Sequence, residues 1–274
     1  MPEAAVAEIF IIGNEILIGD IQDTNTHWLC REINGMGGCV ARVTVLRDIA
    51  EEIAAEVRAS LARGARVIIT SGGLGPTADD LTLAAVAQGA GVEVRLHEQA
   101  LQMVKARYDE LAAQGVLAQG GLNAPREKMA WLPEGAVPLH NPVGTAPGVL
   151  FRTGQTTIVS LPGVPSELKG IFGTSLQPFL HETFRGGVSA LRTLTVQCND
   201  ESLMEPVLSR VVKAHPSIYI KSLARTLGET PEIDIVLTAV GDDRSILEAL
   251  LGAAVKDLRE GLDGLGIGHR EKES

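Results

Sequence analysis

Short, mostly apolar runs alternate along this chain with longer stretches that place apolar residues every third or fourth position. The first run, Ala7–Ile12, reads as a short buried strand stopped by Gly13. Thr24–Met36 follows as a helix, with Trp28, Leu29 and Ile33 on one face and Asp23 or Thr24 as its N-cap. Cys39–Leu46 alternates as a strand, and Ile49–Ala62 is a helix with Ile53, Val57 and Leu61 at four-residue spacing. Arg66–Thr70 gives the next strand, Leu81–Gln88 and His97–Gln114 two more helices. The Pro-, Gly- and Asn-rich stretch Asn123–Pro147 reads as a structured loop with short extended pieces. Thr157–Leu161 is then a strand, followed by Pro162-Gly163-Val164-Pro165 and a helix that Ser166 would cap. Strand–helix alternation of this kind predicts an α/β fold with a mostly parallel sheet covered on both faces.

Composition changes at Arg185-Gly186-Gly187, which sets the expected boundary between a domain over 1–185 and a small α+β domain over 186–266. The second is read as strand Thr193–Gln197, helix Glu201–Ala214, strands Ser217–Lys221 and Ile233–Val240, and helix Arg244–Glu260. The charged residues 267–274 are expected to be a disordered tail.

Charge and composition narrow the partners. A formal charge of −10 with no basic run disfavours nucleic acid, while leaving room for a small anion held by backbone N–H groups. Cys30, Cys39 and Cys198 are odd in number and form no C-x-x-C pair, which points to reduced thiols rather than a disulfide framework. Ile9–Ile12 is far too short for a signal or membrane span, so no membrane partner and a cytoplasmic address are expected.

Four segments dense in glycine, proline and short polar residues fall at predicted strand ends: Gly13–Asn25, Thr70–Thr82, Asn141–Gly148 and Leu161–Lys169. In the second, Gly72, Gly73 and Gly75 permit positive φ and close approach. The N–H groups of Gly72, Gly73, Leu74 and Gly75 can then form an anion-binding concavity. No Gly-Lys-Ser or Gly-Lys-Thr follows, so this is not a Walker P-loop. Asp79 and Asp80 either cap the following helix or, being carboxylates beside a phosphate cradle, hold a divalent cation that bridges the two. Mg2+ is the natural candidate, with Co2+ or Mn2+ as substitutes, and Glu15 and Asp48 lie after other strands from which they could converge on the same rim. Bland roles stand beside these: Asn25 as a helix cap, Asn141 and Thr145 as turn formers, Lys169 and Lys221 as solvated lysines.

Taken together, the four segments resemble the N-terminal part of the CinA (competence/damage-inducible) family and, more broadly, the molybdopterin-binding domain superfamily that includes MoaB and MogA. The resemblance spans roughly residues 7–172. The small unit is similar, less distinctly, to the CinA middle domain, best at Tyr219-Ile220-Lys221-Ser222. The sequence stops near where the CinA amidase domain would begin, so amidase activity is not implied, although a separately encoded amidase is a conceivable partner. The resemblance implies a three-layer α/β/α domain that forms homodimers or higher homo-oligomers. For the CinA-type branch it implies metal-dependent hydrolysis of ADP-ribose to AMP and ribose 5-phosphate. For the MoaB and MogA branch it implies binding of molybdopterin. Asp80 matches the aspartate after the superfamily's Gly-rich loop, Asp48 a second acidic position and Glu15 the Gly-x-Glu of the CinA-type branch.

The expectation is therefore a nucleotide diphosphate or pterin site. Glu15, Asp48 and Asp80 would hold metal, and Asp79 and Asp80 would serve catalysis with Lys169 or Lys221 facing the leaving phosphate. Asn25, Ser71, Gly72, Gly73, Leu74, Gly75, Thr77, Asn141, Gly144, Thr145, Gly163 and Ser166 would bind substrate. The alternative is a binding protein of molybdenum cofactor metabolism without hydrolase activity.

Overall fold

The computed structural model describes residues 6–184, 187–198, 200–224 and 232–272. The chain divides into two compact units, one formed by the residues up to Ile33 with Gly38–Phe184, the other by Asn34–Gly37 with the residues from Arg185 onward.

The first unit begins with β1 (Val6–Ile12), a single helical turn α1 (Asn14–Leu17), α2 (Asn25–Gly35) and β2 (Cys39–Leu46). It continues through α3 (Ala50–Arg63), β3 (Val67–Ser71), α4 (Thr82–Ala90), β4 (Val94–Leu96) and α5 (Glu98–Ala113). Then come α6 (Ala124–Lys128), β5 (Trp131–Pro133), β6 (Val137–Leu139), β7 (Gly148–Thr153), β8 (Thr156–Leu161) and α7 (Pro165–Ile171). A π-helical stretch (Phe172–Leu176) leads into α8 (Gln177–Thr183).

Six of these strands form one sheet in the order β2-β1-β3-β8-β7-β6. β2, β1, β3 and β8 are parallel, and β7 and β6 continue as antiparallel hairpins. From β1 the chain first adds β2 on one side and then crosses back to place β3 on the other. That reversal opens a crevice beyond the carboxyl ends of β1 and β3, where ligands of open α/β sheets sit.

The three central strands are mostly apolar because both their faces are covered. Phe10, Ile68 and Ile158 pack in one cluster with Val57 of α3, Val86 of α4 and Val104 of α5. Ile9, Ile69 and Val159, which alternate onto the opposite face, are equally buried. At the sheet's edge β2 is largely exposed. Glu8 is a buried charge within β1, and Arg63 of α3 clamps its carboxylate through Nε at 2.8 Å and a guanidinium NH2 at 2.6 Å. That bidentate pair holds the Glu8 carboxyl below the usual carboxylate range.

The second unit consists of β9 (Val188–Gln197), a 3-10 turn (Glu201–Leu203), α9 (Glu205–Ala214), β10 (Ile218–Ala224), β11 (Glu232–Gly241), α10 (Arg244–Gly264) and β12 (His269–Glu271). Its sheet is antiparallel, in the order β10-β11-β9-β12. Leu194, Ile235 and Leu237 build a separate core there with Val207 and Val211 of α9 and Leu247, Leu251 and Leu258 of α10.

Several expectations change. Residues 269–271 are not a loose tail: they pair with Leu194–Val196 of β9, and their charges are matched. Arg270 meets Glu232 at 2.8 Å, Glu271 meets Arg192 and Arg259, and Lys272 meets Asp234. Residues 273–274 lie outside the described residues. The helix expected over Glu201–Ala214 is broken into a 3-10 turn and α9. Ser166 is not a cap, because Val164 occupies the N-cap position of α7 and Pro165 follows in its first turn. Among the described residues no helix is long and apolar enough to cross a membrane.

Candidate functional site

The loop after β3 is shaped by two left-handed glycines. Gly72 has φ +112° and Gly73 φ +67°, and a Cβ on Gly72 would lie 2.0 Å from the Ile12 carbonyl oxygen. Only glycine lets the loop pass this close to the end of β1. Thr82 at the start of α4 closes the turn: its hydroxyl donates to Gly72 O at 2.7 Å and its N–H to Gly73 O at 3.2 Å. Gly72 N–H donates to Leu161 O of β8, so it cannot serve a ligand as the sequence suggested. The N–H groups of Gly73, Leu74 and Gly75 donate to no acceptor among the described residues. Three successive free N–H groups in such a turn make a local concentration of partial positive charge.

Asp79 and Asp80 fold the far side of this loop rather than capping α4, whose N-cap position is Leu81. Asp80 Oδ2 accepts from Thr77 N at 2.9 Å and lies 2.6 Å from the Thr77 hydroxyl, which is also 2.5 Å from Asp79 Oδ1. The Thr77 hydroxyl holds Asp79 below the usual carboxylate range. Lys128, at the end of α6, reaches across to donate to Thr77 O. Burial pulls its ammonium below the ordinary lysine value, opposed by the charges of Asp80 and Asp79. No sequence signal singled out Lys128, which lies 51 residues from its acceptor.

Asn25, in the first turn of α2, is 6% exposed. It is not the helix cap, since Asp23 supplies the carboxylate that accepts from Thr26 N at 3.0 Å. Instead Asn25 Nδ2 donates to Ser71 Oγ at 3.0 Å and to Gly163 O at 2.7 Å, tying together the ends of β3 and β8. These groups and Glu15 line a small cleft of about 40 Å3 at the switch point, within reach of the Gly-rich loop: a Cβ on Gly163 would lie 3.4 Å from Gly72 Cα.

The loop before β7 is self-contained. Asn141 Oδ1 accepts from Val143 N at 3.0 Å and Gly144 N at 2.8 Å, while Nδ2 donates to Ala146 O at 2.8 Å and Glu167 Oε2 at 2.7 Å. With every lone pair and proton engaged, Asn141 is a turn former. Arg107 of α5 clamps the same loop through Gly144 O at 3.1 Å and Val143 O at 2.7 Å, and Tyr108 O–H reaches Thr145 Oγ1 at 3.5 Å. Arg107 is a second residue that sequence reasoning missed. Ser166 and Lys169 are exposed on α7, with Lys169 Nζ 5.6 Å above the Trp28 ring. Lys221 belongs to the second unit, exposed on β10 opposite Val236.

The acids expected to share a metal have separate duties. Asp48 Oδ2 accepts from Asn14 N at 2.8 Å, Glu15 folds its carboxylate over Gly13 Cα, and Asp80 is bound to Thr77. Among the described residues no three His, Cys, Asp or Glu side chains gather as a metal shell. Carboxylates suit a hard divalent cation, but this arrangement does not present them as one donor set.

A parallel sheet with a Gly-rich cradle at its switch point is the frame of a small-molecule binding domain. Residues 8–182 match the family described as the probable molybdopterin binding domain, and the chain belongs to that family. It is similar to a protein of Pyrobaculum calidifontis (38% identical over 255 residues, 93% of this chain and 94% of that one) and to one of Aeropyrum pernix (39% over 277 residues, all of both chains). Among solved structures it is similar to "the protein CinA with unknown function" from Thermoplasma acidophilum. That protein is 34% identical with a TM-score of 0.58, over 64% of this chain and 98% of that one.

Proposed function

We propose that the first unit binds a phosphate-bearing pterin or nucleotide, with phosphate at the N–H groups of Gly73, Leu74 and Gly75. The observation that carries this reading is that run of three unengaged N–H groups, set by two left-handed glycines at the sheet's switch point. Membership in a molybdopterin-binding family supports the pterin as the ligand class. Equilibrium titration with molybdopterin, AMP and ADP-ribose tests it: at least one should bind, and Gly73→Ala should weaken that binding by tenfold or more. A wild-type protein that binds none of the three would end the proposal.

The pair Asp79 and Asp80 beside Lys128 favours a second reading, hydrolysis of the diphosphate of ADP-ribose. Water would add to one phosphorus and the bridging P–O bond would break, giving AMP and ribose 5-phosphate. Because Glu15, Asp48 and Asp80 do not form one shell, no step is derived through a metal. Incubating the protein with ADP-ribose, with and without Mg2+, Co2+ or Mn2+, tests this reading by release of AMP. Asp80→Ala should abolish that release, and retention of full activity would exclude the role given to Asp80.

A further inference from the structure

The Gly-rich loop carries negative charge at its own edge. Asp80 Oδ2 accepts from Thr77 N at 2.9 Å, and a Cβ on Gly75 would lie 2.6 Å from the same oxygen. Gly75, one of the three residues with a free N–H, is therefore packed against a carboxylate. Asp79 stands close by, its Oδ1 2.5 Å from the Thr77 hydroxyl that Asp80 also meets. A phosphate at this loop would be repelled by both acids unless a positive charge offset them.

Lys128 is placed to do so. Its ammonium donates to Thr77 O, the carbonyl that also accepts from Asp80 N at 3.3 Å, and the charges of Asp80 and Asp79 both act on it. Among the described residues Thr77 O is its one acceptor, which leaves two of its three N–H bonds unspent. The lysine stands on a firm base. Asn123 caps α6 by accepting from Arg126 N at 3.0 Å, and Arg126 donates to Gly120 O and Gly121 O at 2.8 Å. Met129 and Ala130, the next two residues, are buried in the core of the first unit.

We infer that Lys128 is a positioning residue of the cradle, whose charge offsets Asp79 and Asp80 and so lets an acid-edged loop accept a phosphate group. The inference rests on the reading above that phosphate lies at the N–H groups of Gly73, Leu74 and Gly75. It goes further in assigning the electrostatic balance of that end of the site to a residue 51 positions away along the chain.

Calorimetric titration of the whole protein tests this, with AMP, ADP-ribose and molybdopterin as phosphate-bearing probes and adenosine as a probe without phosphate. Each titration is run in EDTA and again in Mg2+. In EDTA at least one phosphate-bearing probe should bind, and Lys128→Met should weaken it at least tenfold while leaving adenosine unchanged. Lys128→Arg, which keeps the charge, should stay within threefold of the wild type. Adding Asp80→Asn to Lys128→Met should recover at least threefold, because it removes a charge that Lys128 offset and keeps an oxygen for Thr77 N. An unchanged affinity in Lys128→Met, an equal loss of adenosine, or no recovery in the double variant would overturn the inference. Should Lys128→Met fail to fold, Asp80→Asn alone decides: tighter binding of the phosphate-bearing probe supports the inference, and unchanged or weaker binding overturns it. Binding of these probes only in Mg2+ would give the offsetting charge to a metal, overturning the role of Lys128 and leaving the parent reading intact. Binding of none of them in either buffer would remove both.

Discussion

At Gly72 the backbone passes so near β1 that a methyl group would sit 2.0 Å from a main-chain oxygen, with nothing flexible to yield. Gly72→Ala should therefore cost about 2–4 kcal/mol, measurable as a lower urea midpoint, because positive φ and a backbone clash act together. Glu8 supplies a pH signature. Its folded pKa lies below the ordinary value of 4.5, so its ion pair with Arg63 adds stability that is fully present above that value. That stability is lost as pH falls through the lower, folded value. Unfolding free energy of the wild type should drop over this acid window, and Glu8→Gln, about 1–3 kcal/mol less stable at neutral pH, should show a flatter profile there. An identical slope in both proteins would remove the pair from the account.

The elements differ in how far the chain announced them. β1, β3 and β8 were readable because a strand buried on both faces is mostly apolar, and α3 because Ile53 and Val57 repeat at helical spacing. The turn α1 and the short strands β4, β5 and β6 carry too few residues to show a period. β12 was hidden by its charges, which are neutralised by partners 12 to 79 residues away. The site divides the same way. Glycines and acids at strand ends marked the loops, but their bonding was not legible: Asn25 reaching Gly163, or Lys128 and Arg107 reaching loops, are contacts only the folded chain makes. Arg107 gives the test at this scale. Arg107→Leu should speed amide hydrogen exchange at Val143 and Gly144 with little change in global unfolding, since it frees one loop and leaves the sheet intact.

At the scale of the molecule, two separate cores stand behind the two compact units. Leu251→Ala in the second core should destabilise that unit by about 2–5 kcal/mol. Ligand affinity, measured well below the transition, should stay unchanged, because cradle and cleft are built from strands of the first unit. The central claim is that the ends of β1, β3 and β8 form one ligand rim with the free N–H groups of Gly73, Leu74 and Gly75 at its phosphate end. Backbone amide NMR during a titration with AMP addresses it most directly. The account predicts the largest shifts at Gly73, Leu74 and Gly75, with the Asn25 side-chain amide moving alongside them. Saturable binding whose shifts fall elsewhere, with those three amides unmoved, would contradict it.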